Sequence, residues 1–320
     1  MNDWEEIVRE APKVTRQAAD VFGVSKKWLA ENAGHLPFGV NAYWVRLIHS
    51  PRDPIGLQSI PDDRELSVAP GEKADPLQEE AHRKAPLIIH RYPDRVLFLV
   101  SNTCPVYCRF CTRRRTVGRK PFPTQKQIQD SLAYLQNQPG IREVILSGGD
   151  PLMLSDKKLV HLLASLREIN HIRVIRIGTR APVTLPQRVT PELISALKPF
   201  HPIFILTQFN HPAEVTAESR QACIRFVEAG FPVLNQSVLL RGVNDSEEVL
   251  LELVEQLVAI RVIPYYLHQL DPVAGTRHFE VSEERGKQLI RYLREHTGGL
   301  AVPTYVRDDP EAPSKVPLFP

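Results

Sequence analysis

Strand-like apolar runs alternate with amphipathic helical patterns from residue 95 onward, which predicts an α/β fold with a parallel sheet and helices packed outside it. A second observation agrees: the polar motifs SNTC, SGGD, GTR, QFN, NQS and QLD all fall at the ends of those runs. Barrel enzymes concentrate their chemistry at the C-terminal ends of strands, and a random core would not sort its polar residues this way.

The strands expected in order are RVLFLVS (95–101), EVILSGG (143–149), VIRIGTR (174–180), PIFILTQF (202–209), PVLNQSVLL (232–240) and IPYYLHQLD (263–271). Helical spacing of apolar residues follows in QKQIQDSLAYLQ, DKKLVHLLASLREI, PELISALK, TAESRQACIRFVEAG, SEEVLLELVEQLVAI and SEERGKQLIRYLREH. Six such units are too few for a complete eight-stranded barrel. Ahead of them, residues 1–50 read as two or three short helices, and a connector rich in Pro, Asp and Glu (51–82) leads in, wrapping the barrel.

At 320 residues with 42% hydrophobic content, the chain can bury one large core. A net charge of +3 is too small to suggest nucleic acid, and the RRR run at 113–115 abuts a cysteine motif instead of forming a basic face. No apolar run reaches membrane-spanning length, and the start MNDWEEIVRE is unlike a signal peptide, so the cytosol is the expected home.

Cys104, Cys108 and Cys111 stand in SNTCPVYCRFCTRRR, spaced C-x3-C-x2-C. Thiolates select zinc, copper(I) or iron–sulfur clusters. Structural zinc wants four ligands, and no histidine lies within the triplet. Disulfides are disfavoured by the odd count and the reducing compartment, and inert burial by the clustering. The spacing favours a [4Fe–4S] cluster that leaves one iron open. Cys223 sits in a helical pattern and reads as a small core residue.

The triplet resembles that of radical S-adenosylmethionine (SAM) enzymes, in which SAM chelates the open iron. The wider stretch HRYPDRVLFLVSNTCPVYCRFCTRRR resembles the lysine 2,3-aminomutase family, as do SGGDPL, TRAPVTLPQRVT, FNHPAEVT, NQSVLLRGVND and VPTYVRDDPEAPSK. The likeness covers roughly residues 75–318, in family order. It implies a partial (β/α)6 TIM-like barrel of the radical SAM type over 91–300, an N-terminal helical extension and connector over 1–90, and a C-terminal segment over 301–320 that carries a pyridoxal phosphate (PLP) lysine.

By that resemblance, Lys315 is the PLP lysine, and Arg91 grips the PLP phosphate with Arg180 and Arg188 as further candidates. SAM is cradled by Ser147, Gly148, Gly149 and Asp150, the carboxylate accepting from its ammonium. Gln236 lies between SAM and PLP. Arg113 clamps the substrate's α-carboxylate, while Asp271 and Asp308 bind the distal ammonium of lysine. Each has a plainer reading: a turn for the glycines and Asp308, a satisfied amide for Gln236, an ion-pair partner for Arg180 and Arg188.

The activity implied is interconversion of L-lysine and β-lysine, using a SAM-derived radical and PLP-assisted nitrogen migration, with a reductase or flavodoxin-type electron donor. Arginine or ornithine is the alternative substrate. A non-catalytic iron–sulfur or zinc protein is the alternative from another class. Phrases such as PYYLHQLD resemble the branch making (R)-β-lysine for elongation factor P, which does not usually keep the VRDDP aspartate found here. Family members with an intersubunit zinc carry extra cysteines; here Ser246 stands at one such position and the chain ends at Pro320, so a homodimer without that zinc is expected.

Overall fold

The structure, a computed structural model, describes residues 3–31, 36–119 and 123–319. Ten strands form one sheet in strict chain order: β1 (Arg83–Ala85), β2 (Ile88–Tyr92), β3 (Arg95–Ser101), β4 (Glu143–Gly148), β5 (Val174–Gly178), β6 (Ile203–Thr207), β7 (Val233–Val238), β8 (Ile263–His268), β9 (Thr304–Arg307) and β10 (Val316–Pro317). From β3 to β9 every neighbour is parallel. β1, β2 and β10 add antiparallel at the two edges. This is the partial barrel of the radical SAM type.

All six expected strands are present. The segment after 300, expected as a separate piece, instead supplies β9 as a seventh parallel strand and β10 as its hairpin partner. The expected boundary at residue 90 likewise falls inside β2, which pairs with β3.

Helices α1 (Asp3–Val21), α2 (Lys26–Glu31), α3 (Ala42–Val45) and α4 (Pro54–Ser59) make up the N-terminal part. The barrel helices are α5 (Gln125–Gln136), α6 (Asp156–Arg167), α7 (Ala181–Thr184), α8 (Pro191–Leu197), α9 (Ala217–Glu228), α10 (Glu247–Ala259) and α11 (Glu283–His296). Most begin on a side-chain cap that satisfies an otherwise unpaired backbone N–H: Thr124, Thr190, Thr216, Ser246 and Ser282. Ser246, at the expected zinc-cysteine position, therefore does the work of starting α10.

Burial alternates along the strands. Val96, Phe98 and Val100 of β3, Val144 and Leu146 of β4, and Ile175 and Ile177 of β5 are buried in the main core. They share that core with Leu159, Leu163 and Leu166 of α6 and Leu250, Leu253 and Leu257 of α10. Each such side chain contributes about 1.5–3 kcal/mol of transfer free energy. The alternate residues, among them Ser147, Gln236, Tyr266 and His268, are half-buried and line the barrel interior. Among the described residues no helix is long and apolar enough to cross a membrane.

Candidate active site

The loop after β3 carries the three cysteines, all unpaired and half-buried. Burial pushes the thiols of Cys104 and Cys111 up, Cys111 to about 11, and the neighbouring sulfurs push in the same direction. The triplet is thus a set of neighbouring soft donors whose charged form needs compensating positive charge. Arg180 donates to Cys108 Sγ at 2.8 Å.

The connector before the barrel fixes this loop. Glu65, buried, accepts from Arg109 at 2.6 Å and from Arg114 at 2.8 Å. Glu79 accepts from Arg113 Nε at 2.7 Å and from Arg115 at 3.1 Å. Burial raises both carboxyl pKa values, but the guanidinium groups outweigh it and hold them below the usual range. Arg113 also donates to Ser147 Oγ at 3.0 Å, tying the cysteine loop to the end of β4.

Gly148 has φ of +117°, and a Cβ there would lie 2.1 Å from Ser101 O. A Cβ on Gly149 would lie 2.5 Å from Thr103 O. The two glycines let the SGGD turn interlock with the cysteine loop through Gly149 N to Ser101 O and Asp150 N to Thr103 O. Asp150, expected to accept from SAM, is buried. Its carboxylate accepts from Leu152 N, Thr179 Oγ1 and Arg180 N at 2.7–2.9 Å, bracing the ends of β4 and β5.

On the far side of the mouth, Asp308 and Lys315 stand at the two ends of the loop joining β9 to β10. Lys315 Nζ donates to Asp308, and Arg91 reaches the other oxygen at 3.1 Å. Arg91 also donates to Asp309 O and Ala312 O, so the expected phosphate-gripping guanidinium is occupied by this loop. Burial raises the Asp308 pKa, but Lys315, and with it Arg91, holds it below the usual carboxylate range.

Asp271, just past β8, behaves differently. Burial and the Asp308 charge push its pKa up to about 7. His268, from the same motif, is pushed down to about 3 by burial and by Lys315, and stays neutral. Tyr266 completes the wall: Lys315 Nζ lies 5.9 Å from its ring centre, and His268 meets it edge-on at 5.5 Å. Gln236 pairs with Tyr266 across β7 and β8, facing the same interior.

Two expected phosphate candidates sit elsewhere. Arg180 is buried on the cysteine side, donating to Gln208 O, Gln58 and Glu214 besides Cys108. Arg188 is fully buried, donating to Leu152 O at 2.6 Å and Leu154 O at 3.0 Å, pairing with Asp156, and lying 4.5 Å from the Trp4 ring. It ties α1 to the SGGD turn and does not reach the interior. Sequence reasoning missed Glu65, Glu79 and His268. The DPLQEE run and the HQLD motif contain two of them, but nothing local says which arginine a distant glutamate will meet.

Residues 98–254 match the Radical SAM superfamily. An L-lysine 2,3-aminomutase of Clostridium subterminale is 44% identical over all of this chain and 78% of its own length. The chain belongs to the lysine 2,3-aminomutase family. Other relatives in the family are the Escherichia coli L-lysine 2,3-aminomutase, 39% identical over 84% of this chain and 79% of its own, and a Clostridioides difficile glutamate 2,3-aminomutase, 42% identical over 92% and 70%. Among solved structures, Streptococcus suis SuiB bound to S-adenosylmethionine aligns with a TM-score of 0.51 at 15% identity, over 68% of this chain and 51% of its own. A radical SAM methyltransferase from Sphaerobacter thermophilus gives 0.51 at 21%, over 69% and 68%. Both share the fold.

The family's cofactors are a [4Fe–4S] cluster, SAM and PLP. The donor set fits the first: three soft thiols on one short loop. Among the described residues no three Cys, His, Asp or Glu side chains close on a single ion, whereas a cluster takes its cysteines at separate iron corners. An amine at Lys315, facing the barrel interior beside Tyr266, fits PLP.

Proposed function

We propose that this chain is an L-lysine 2,3-aminomutase, interconverting L-lysine and β-lysine in a reducing cytosol. One observation carries the substrate: Asp271 and Asp308 lie together beside Lys315, and burial first, then the charge of Asp308, pushes the Asp271 carboxyl up to about 7. Once Lys315 is engaged by PLP, the two carboxylates face Arg91 alone, and the buried site then favours a cation and rejects a carboxylate-bearing side chain. This disfavours glutamate, although a glutamate enzyme is among the relatives. Arginine and ornithine carry the same distal charge and are the second reading. The product's hand decides whether the chain serves the free β-lysine pool or elongation factor P.

Cys104, Cys108 and Cys111 would bind the cluster, Ser147 to Gly149 would border SAM, and Lys315 would hold PLP. When bound, SAM supplies the hydrogen-abstracting radical and PLP the conjugated system that assists nitrogen transfer from C2 to C3. The chain's residues do the positioning. Arg113, with Nε on Glu79 and one Nη on Ser147, keeps its remaining N–H groups for the substrate's α-carboxylate. Asp308 holds the proton on Lys315 Nζ, and exchanges that cation for the substrate's distal ammonium when Lys315 is otherwise engaged. Neutral His268 adds no competing charge. Gln236 and Tyr266 border the interior. The enzyme needs a one-electron donor.

Anaerobic turnover of L-lysine with SAM, PLP and dithionite, with chiral analysis of the product, tests this. Turnover of glutamate in preference to lysine would overturn it.

A further inference from the structure

Arg52, Arg64 and Arg241 rim a hollow of about 580 Å³ whose floor includes Leu57 and Phe279. A single carboxylate, Asp62, faces these guanidinium groups, and Arg64 already holds it through hydrogen bonds of 2.9 and 2.7 Å. Nearby acids are turned to the backbone. Asp53 accepts from the N–H groups of His49, Ser50, Ile55 and Gly56, and Asp245 from that of Gly242. Asp53 and Asp245 keep their charge but do not line the hollow, where three guanidinium groups face one carboxylate around an apolar floor.

Beneath that floor lies a small apolar nucleus separate from the main core: Phe110, Leu240, Val243 and Phe279, with Cys108 packed against it. Phe279 meets Phe110 edge to face at 6.2 Å between ring centres. Phe110 adjoins Cys111 in sequence. Two aromatic rings thus connect the surface hollow to the loop that bears the three thiols. Neither the substrate chemistry nor the barrel core requires this connection.

We infer that the hollow is the docking surface for the electron donor, a small acidic flavoprotein of the flavodoxin type. This rests on the radical reading above and gives its donor a place on the molecule. An acidic face matches the arginine rim, and a flavin's apolar ring edge matches the floor at Leu57, with buried Phe279 behind it. Electron-transfer encounters are small, transient and steered by charge, which suits a polar rim around a small apolar centre. In the step itself the reduced flavin is oxidised by one electron and the cluster reduced by one, with no bond made or broken.

The test uses the anaerobically reconstituted holoenzyme, reduced flavodoxin, and stopped-flow absorbance to follow cluster reduction. The double variant Arg52→Glu/Arg241→Glu should be reduced about tenfold or more slowly at low salt. The wild-type rate should fall with added salt until the two converge. Dithionite, which needs no docking face, should reduce both proteins alike. A flavodoxin with lysines in place of the acids beside its flavin should recover the double variant. Reduction of the double variant by flavodoxin at the wild-type rate overturns the proposal, and so does an equal loss with dithionite. Lysine turnover driven by dithionite is scored separately. If it is absent while the charge-reversal effect on cluster reduction stands, the substrate reading fails and the docking surface holds.

Discussion

On the cysteine side of the barrel mouth, Arg109, Arg113, Arg114 and Arg115 each lean on a carboxylate from the segment before the barrel. On the lysine side, Lys315, Arg91 and Asp308 lean on one another, and Asp271 is left with a carboxyl that titrates near 7. The first arrangement is finished: Glu65 and Glu79, with Asp75 and Glu80 also on Arg115, hold the basic run and fix the loop before any ligand arrives. The second is a set of groups whose partners must change when cofactor and substrate enter. One side is preorganised, and the other is built for exchange.

The largest expected effect comes from removing the exchangeable amine. Lys315→Ala should lower lysine turnover on the order of 10³-fold or more and abolish the visible absorbance of enzyme-bound PLP. Iron content and SAM binding should stay unchanged, because the cysteine side does not depend on this loop. A parallel loss of iron would break the comparison.

Glu65→Gln attacks the finished side. It leaves the Arg109 and Arg114 guanidinium groups facing each other without their carboxylate, in a site with almost no solvent. Loss of one partner from such a buried pair costs about 3–5 kcal/mol. Chemical denaturation should show that loss, together with poor cluster incorporation. Wild-type stability would mean the connector only covers the loop.

Much of this contrast was hidden in the sequence. Strands and helices from 95 to 296, the four-residue α7 excepted, were legible because apolar period and cap residues agree. β9 was not, since TYVR offers four residues behind Pro303 and only its neighbours β8 and β10 make it a strand. The polar ends of strands were legible as a site, but not who pairs with whom. Glu65 meets Arg109 44 residues away, and Arg91 meets Asp308 217 residues away. Asp150 is expected at SAM only through the resemblance of SGGD to the family motif, which does not say what else its carboxylate meets. Its partners here, Thr179 and Arg180, come from the turn just past the end of β5.

Asp308→Asn sharpens the exchangeable side. It should cost roughly 2–5 kcal/mol in kcat/KM for lysine, while SAM cleavage slows far less. It also removes a charge that raises the Asp271 pKa, so the pH dependence should move. In the wild type, Asp271 ionises only as pH passes about 7, and kcat/KM for lysine should rise through that point; in the variant the rise should come at lower pH. Stability runs the other way. The folded state binds the Asp271 proton more tightly than the unfolded chain, so this group's contribution is present below its ordinary pKa of 3.8 and fades as pH rises towards 7. A kcat/KM profile unmoved by Asp308→Asn would separate the two carboxylates.

Glu79→Gln is milder, because the amide still accepts a hydrogen bond from Arg113 but carries no charge to hold Arg115 as well. The expected result is about a tenfold rise in KM for lysine, near 1.4 kcal/mol, with kcat nearly unchanged. A fall in kcat at constant KM would mean that Glu79 acts on the radical chemistry and not through the clamp.

The smallest effect should come from the fourth cysteine. Cys223 lies fully buried in α9, and burial pushes its thiol up to about 12, so it offers no thiolate at working pH. Cys223→Ala should leave iron at about four per chain and turnover within twofold, at a cost of about 1 kcal/mol in stability for the lost packing. Iron falling with this variant would make Cys223 a ligand. The cysteine side would then draw on a thiol from the helical layer, and would no longer be a site completed by the connector and a single loop.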